Sequence, residues 1–149
     1  MTTPTELQAS TAIAVRKIAI AIDNEQSAAL RKIDPNLTVA QYTALRLIKD
    51  NPGSSGAMIA RLAGVTPQSM AVTLPGLVAR DLIVRRNTPG TGRAITCTTT
   101  AKGTRLLAKV DGPMRAFDQA LDERLGKAGT SAAELAEHLP ADPDEQLAA

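Results

Sequence analysis

The chain has 149 residues, 44% of them hydrophobic and 21% charged, a mixture that forms one compact domain, or one domain with an oligomerising arm, and excludes wholesale disorder. Tyr42 and Phe117 are its aromatic residues, Cys97 its one cysteine and His138 its one histidine, which argues against base stacking, a disulfide framework, a histidine metal cluster and a Ser-His-Asp triad. The net charge of +2 conceals a segregation: residues 1–40 balance, residues 41–110 carry ten bases against Asp50 and Asp81, and residues 111–149 carry nine acids against three bases. A basic middle between neutral and acidic ends is what a phosphate-facing unit within a larger scaffold shows. A solvated basic face gives the same count, and charge alone does not separate the two.

The first helix is expected over Thr5 to Lys32, ahead of the breaker Asp34-Pro35-Asn36. At about 100° per residue, Leu7, Val15, Ile18, Ile22, Ala29 and Ile33 share one side, while Ile13 and Ile20 fall nearly opposite. Two apolar stripes imply burial from two directions, one against the chain's own domain and one against a second subunit. Its apolar runs, Ala12 to Val15 and Ile18 to Ile22, are broken by Arg16 and Lys17, so neither spans a bilayer nor forms a secretory signal. With a lone cysteine, a reducing cytoplasm is the expected compartment.

Thr38-Val39-Ala40-Gln41 is a capping box opening a helix over 38–50, which stops at Asn51-Pro52-Gly53. Ser55 opens a short helix through Ala63, and Gly64 ends it. Thr66 then caps a helix to Arg80 with Pro67 in its first turn, where a missing N–H does no harm. Two short helices joined by Gly64-Val65 make a helix-turn-helix, whose second helix fits a major groove. Leu82 to Arg86 and Arg93 to Thr98 form a β-hairpin around the turn-rich Asn87 to Gly92, a wing. Thr100 caps a helix to Arg124 that is expected to break or bend at Gly112-Pro113. Ser131 to Glu134 is a further capping box for a terminal helix ending at Pro140, followed by an acidic tail.

On the helix from Thr66, Met70, Leu74 and Leu77 form the core side, flanked by Pro67, Ala71 and Val78. Gln68, Ser69, Val72, Thr73, Gly76 and Arg80 face away. Gln pairs bidentately with adenine, Ser and Thr bond several base edges, and Val72 suits a thymine methyl; the same face on an ordinary helix is simply solvated. The preceding helix and following basic hairpin favour base reading.

The run from Leu37 to Gly103 resembles the winged helix-turn-helix of the MarR family of transcriptional regulators. The matching pieces are Leu37-Thr38, Gln41-Tyr42, Leu45, Ile59-Ala60-Arg61, Gly64-Val65-Thr66-Pro67-Gln68-Ser69, Leu77, Leu82-Ile83-Val84-Arg85-Arg86, Gly92-Arg93 and Thr100-Ala101-Lys102-Gly103. Four positions depart from the family pattern. The wing keeps only the arginine of Asp-x-Arg, as Thr91-Gly92-Arg93. Asp81 replaces a glycine after the recognition helix. Pro75-Gly76 sits inside that helix, at a cost of roughly 3 kcal/mol, and is expected to bend it or end it early. Met58 replaces an acidic residue that would complete a box with Ser55.

The expected fold is mainly α with a small β-hairpin wing. A winged helix-turn-helix DNA-binding domain, residues 37–99, lies between an N-terminal dimerisation helix, residues 1–36, and C-terminal dimerisation helices with an acidic tail, residues 100–149. The resemblance implies a homodimeric regulator, usually a repressor, on a pseudo-palindromic double-stranded operator, with a small ligand acting where the DNA-binding and dimerisation regions join. Base contacts are assigned to Gln68, Ser69, Val72 and Thr73; backbone or wing contacts to Ser55, Arg61, Thr66, Pro67, Arg85, Arg86 and Arg93. Arg93 has two readings, minor-groove insertion or a structural place at the hairpin base. Cys97 fits a buried structural thiol better than a redox sensor, having no second cysteine to resolve it. His138 fits a solvated or capping residue better than a ligand. No cofactor, metal or membrane is expected, and the chain lacks the equipment of an enzyme. The competing reading is a winged-helix module that binds another protein and not DNA.

Overall fold

The structure, a computed structural model, describes residues 10–87 and 95–127. The expected helical start at Thr5, Leu7, Arg93, the terminal capping box with its helix, His138 and the acidic tail lie outside the described residues. In chain order the elements are α1 (Thr11–Arg31), α2 (Val39–Asp50), β1 (Ser54–Ser55), α3 (Gly56–Ala63), α4 (Pro67–Ala79), β2 (Ile83–Asn87), β3 (Ile95–Thr99) and α5 (Ala101–Lys127). Among the described residues five helices pack with one small sheet, the winged helix expected.

Hydroxyls set the starts of α2 to α5. Thr38 accepts a hydrogen bond from the Gln41 N–H while Gln41 accepts one from the Thr38 N–H, a complete capping box. Thr100 accepts from the Gly103 N–H at 3.0 Å and donates to the Asp81 carbonyl at 2.7 Å, tying the start of α5 to the end of α4. Gly103 is buried there because a Cβ would lie 2.2 Å from the Leu82 carbonyl oxygen, a backbone atom that cannot yield.

The sheet is antiparallel in the order β1-β3-β2. Strands β2 and β3 form the expected hairpin, with Ile83 opposite Thr99 and Asn87 opposite Ile95. Strand β1, which the sequence analysis did not include, pairs Ser54 with Cys97 and Ser55 with Thr96 and makes β3 the central strand.

Two prolines expected to bend or break their helices do not break them. Helix α4 runs unbroken through Pro75-Gly76 to Ala79, because Leu74 and Leu77 on either side are buried in the core. Helix α5 runs unbroken through Gly112-Pro113, bracketed by buried Val110 and Met114. In each case proline removes one backbone bond, and packing on both sides holds the helical path against that loss.

Two apolar clusters result. The larger joins Ala44, Leu45 and Ile48 of α2 to Ile59 of α3, Met70, Leu74 and Leu77 of α4, Ile83 and Cys97 of the sheet, and Leu107 of α5. The smaller joins Leu30, Leu37, Val110 and Met114, where α1 crosses α5. Between them Asp111, on α5, accepts from Arg46 at 2.6 Å and from the Tyr42 hydroxyl at 3.5 Å, both on α2. Burial, followed by the nearby Asp111 charge, pushes the Tyr42 hydroxyl above its ordinary pKa.

Candidate nucleic-acid interface

Helices α3 and α4 turn by 112° relative to one another, within the range of a helix-turn-helix. Ser55 caps α3 by accepting from the Met58 N–H at 3.2 Å; with Met58 in place of an acid, the box stays half complete. Gly64 turns the chain at φ 67, the left-handed region glycine enters without penalty. Its N–H donates to the Arg61 carbonyl and that of Val65 to Ala60, a paired-bond stop that satisfies the last carbonyls of α3. Thr66 starts α4 one residue later, its hydroxyl accepting from the Ser69 N–H at 3.1 Å, with Pro67 in the first turn. Helix α4 ends by the same pair of bonds: the Asp81 N–H reaches Val78 and that of Leu82 reaches Leu77. Here the left-handed residue is Asp81, at φ 57, so the missing glycine is replaced by a carboxylate residue under mild strain.

The result is a helix with one buried and one presented side. Met70, Leu74 and Leu77 are sealed in the core. Gln68, Ser69 and Val72 are exposed and Thr73 is half-buried on the side away from it. Thr66 and Pro67 are exposed at the N-terminus, where backbone N–H groups favour phosphate. Arg61 is exposed on α3, and Arg85 and Arg86 on β2, while Ser55 is half-buried and occupied with its cap. The candidate residues that are described therefore occupy α3, α4 and β2 around the helix-turn-helix. Arg93 lies outside the described residues.

Two residues assigned to the outward face do not belong there. Arg80 folds back, donating to the Asn36 carbonyl at 3.1 Å and pairing with Asp34 in the loop after α1. Gly76 faces α2, where a Cβ would come within 2.7 Å of the Gln41 side-chain nitrogen. Helical angle placed both on the polar side; contacts from distant segments decided otherwise. Cys97 is fully buried, and burial pushes its thiol above the ordinary range, partly offset by neighbouring Arg85, so the structural reading holds. Met58, Leu62 and Val65, apolar residues of α3 and the turn, remain exposed beside α4.

Residues 36–94 match the sequence model of the MarR family. HTH-type transcriptional repressor Rv2887 of Mycobacterium tuberculosis (strain ATCC 25618 / H37Rv) is 33% identical over 109 residues, which cover 73% of this chain and 77% of that protein. The chain belongs to the MarR family. Among solved structures, the transcriptional repressor CouR bound to a 23-mer DNA duplex superposes with a TM-score of 0.72 at 25% identity, over 87% of this chain and 90% of that one. The MarR family protein Rv2887 of Mycobacterium tuberculosis in complex with salicylic acid superposes with a TM-score of 0.59 at 29% identity, over 86% and 90% of the two chains. As a MarR protein the chain is a DNA-binding regulator, and its relatives are transcriptional regulators. Among the described residues no single helix is long and apolar enough to cross a membrane.

Proposed function

We propose that the chain is a homodimeric transcriptional repressor that reads a pseudo-palindromic double-stranded operator and is modulated by a small ligand. The observation that carries the DNA reading is the presented face of α4, with Gln68, Ser69 and Val72 exposed beside the exposed cations Arg61, Arg85 and Arg86. Gln68, Ser69, Val72 and Thr73 meet base edges. Ser55, Arg61, Thr66, Pro67, Arg85, Arg86 and Arg93 hold phosphates or sugars, which position the protein without specifying sequence. CouR's complex with a duplex supports DNA binding by this fold.

Dimerisation is supported by α1, on which Val15, Ile18 and Ile20 stay 50–61% exposed, and by the apolar groove of about 270 Å³ between Ile18 and Ile22 of α1 and Leu121 and Leu125 of α5. A second copy covering these faces sets two α4 helices about one DNA turn apart, roughly 34 Å. Ligand modulation is supported by a cavity of about 290 Å³ that joins Asp23 of α1 and Val39 and Thr43 of α2 to Met70 and Thr73 of α4. The salicylic acid complex of Rv2887 supports the same reading.

A binding titration against salt tests the division of labour. Arg86→Ala should flatten the slope of log affinity against log salt by about one unit, the signature of one lost phosphate contact. Gln68→Ala should leave that slope in place and weaken preference at particular bases; an equal loss on every duplex contradicts its role. Indifference of the unaltered chain to all duplexes favours the protein-interaction alternative.

A further inference from the structure

The recognition face offers fewer free donors than its sequence implies, because the hydroxyl protons of Thr66 and Thr73 are already engaged. Ser69 is the hub. Its N–H donates to the Thr66 hydroxyl at 3.1 Å, its own hydroxyl accepts from Thr66 at 3.0 Å, and its carbonyl accepts from the Thr73 hydroxyl at 3.0 Å. Thr66 and Thr73 each have one hydroxyl proton, and both protons are used inside the helix. Neither residue offers a base a donor without giving up an existing bond.

Val72 sits in the midst of this network and is 81% exposed, more than any other large hydrophobic side chain among the described residues. Nothing in the fold uses it: the core side of α4 is Met70, Leu74 and Leu77. A β-branched residue is a poorer helix former than alanine, so leaving it in water at mid-helix brings the fold no gain. Gln68 lies one turn before it on the same stripe, and its amide makes no hydrogen bond among the described residues.

We infer that Val72 reads one thymine in each operator half-site through the base's 5-methyl group. In a major groove the thymine methyl is the one apolar feature a base pair presents, and two valine methyls at the outer edge of a docked helix fit it. Gln68, four residues before Val72 on the same face, reads a neighbouring base of the same half-site. The inference rests on the DNA-binding reading above and names what its central contact recognises.

The test selects duplexes from a random-sequence pool with the full chain. Each thymine of the enriched site is then replaced in turn by deoxyuridine, which removes the methyl and preserves every hydrogen-bonding edge. One position per half-site should lose about fourfold in affinity, the worth of one buried methyl group. Val72→Ala, which places a better helix former at an exposed site and so folds, should bind thymine and uracil duplexes alike at that position. Uracil tolerated everywhere by the unaltered chain, or penalised equally in Val72→Ala, overturns the inference while DNA binding stands. If no duplex is enriched, the DNA-binding reading falls and the inference falls with it.

Discussion

Around Leu45, Ile48, Ile59, Leu74 and Leu77 the chain wraps its own core with helices, a sheet and the start of α5. Around Leu30, Leu37, Val110 and Met114 it seals only one end of the α1–α5 pair, whose farther turns keep Val15, Ile18 and Ile20 in solvent. The two regions also differ in their ion pairs. Arg80 and Asp34, 28% and 14% exposed, lock the end of α4 to the loop after α1. Arg124 and Glu25, 57% and 47% exposed, join α1 and α5 directly at 2.7 Å on the solvent side. Short elements that bury one another's faces make a unit complete in one copy. Two long helices that bury apolar side chains against each other at one end only do not, and the apolar turns left exposed are the face the proposed dimer would cover.

The largest effect should come from breaking the open region. Ile18→Asp puts a charge on the exposed face of α1, so the dimer should dissociate in sedimentation velocity. Operator affinity should fall about 10²-fold or more as two linked contacts become one, with the helical circular dichroism retained. A dimer of full affinity would mean that this face is not the interface.

Removing the lock on the closed region should cost stability. Burial disfavours the Asp34 charge, but bonds from Arg80 and the Asn36 N–H outweigh it and hold the carboxyl below its ordinary range. A carboxyl that titrates lower when folded contributes stability above its unfolded pKa, and loses it as pH falls through the folded value. Arg80→Ala should therefore lower unfolding free energy by about 1–2 kcal/mol at neutral pH in denaturant titration, with the difference shrinking in strong acid.

A gain of up to about 1 kcal/mol is expected from Asp81→Gly, since φ 57 strains a side chain but not glycine. Smallest of all, Arg124→Ala should leave the denaturant midpoint essentially unchanged, because solvent screens an exposed pair however good its geometry. A loss as large as that of Arg80→Ala would erase the contrast between the regions.

The helix starts were legible because capping is local chemistry. Thr38, Ser55, Thr66 and Thr100 each accept from an N–H three residues on, as their hydroxyls before apolar-periodic runs predict. The core side of α4 was legible for the same kind of reason, since 3.6-residue periodicity puts Met70, Leu74 and Leu77 together. Strand β1 was not: two serines carry no alternation, and their pairing depends on Cys97, more than 40 residues away in the chain. Arg80 was misplaced because a polar side on a helical wheel does not distinguish solvent from a distant carboxylate. Of the candidate interface, Gln68, Ser69, Val72, Arg61, Arg85 and Arg86 are exposed as anticipated, while the hydroxyl network of Ser69 emerged only from coordinates.

Sequence alone determined where helices start, where Gly64 turns the chain and which side of α4 is apolar, because caps, left-handed turns and periodicity act within a few residues. Tertiary structure decided whether α4 and α5 survive their prolines, which cations are tied inward, and how far Val72 stands out from the fold. Those outcomes depend on contacts between segments tens of residues apart, whose packing outweighs local propensity and leaves no local pattern to be read.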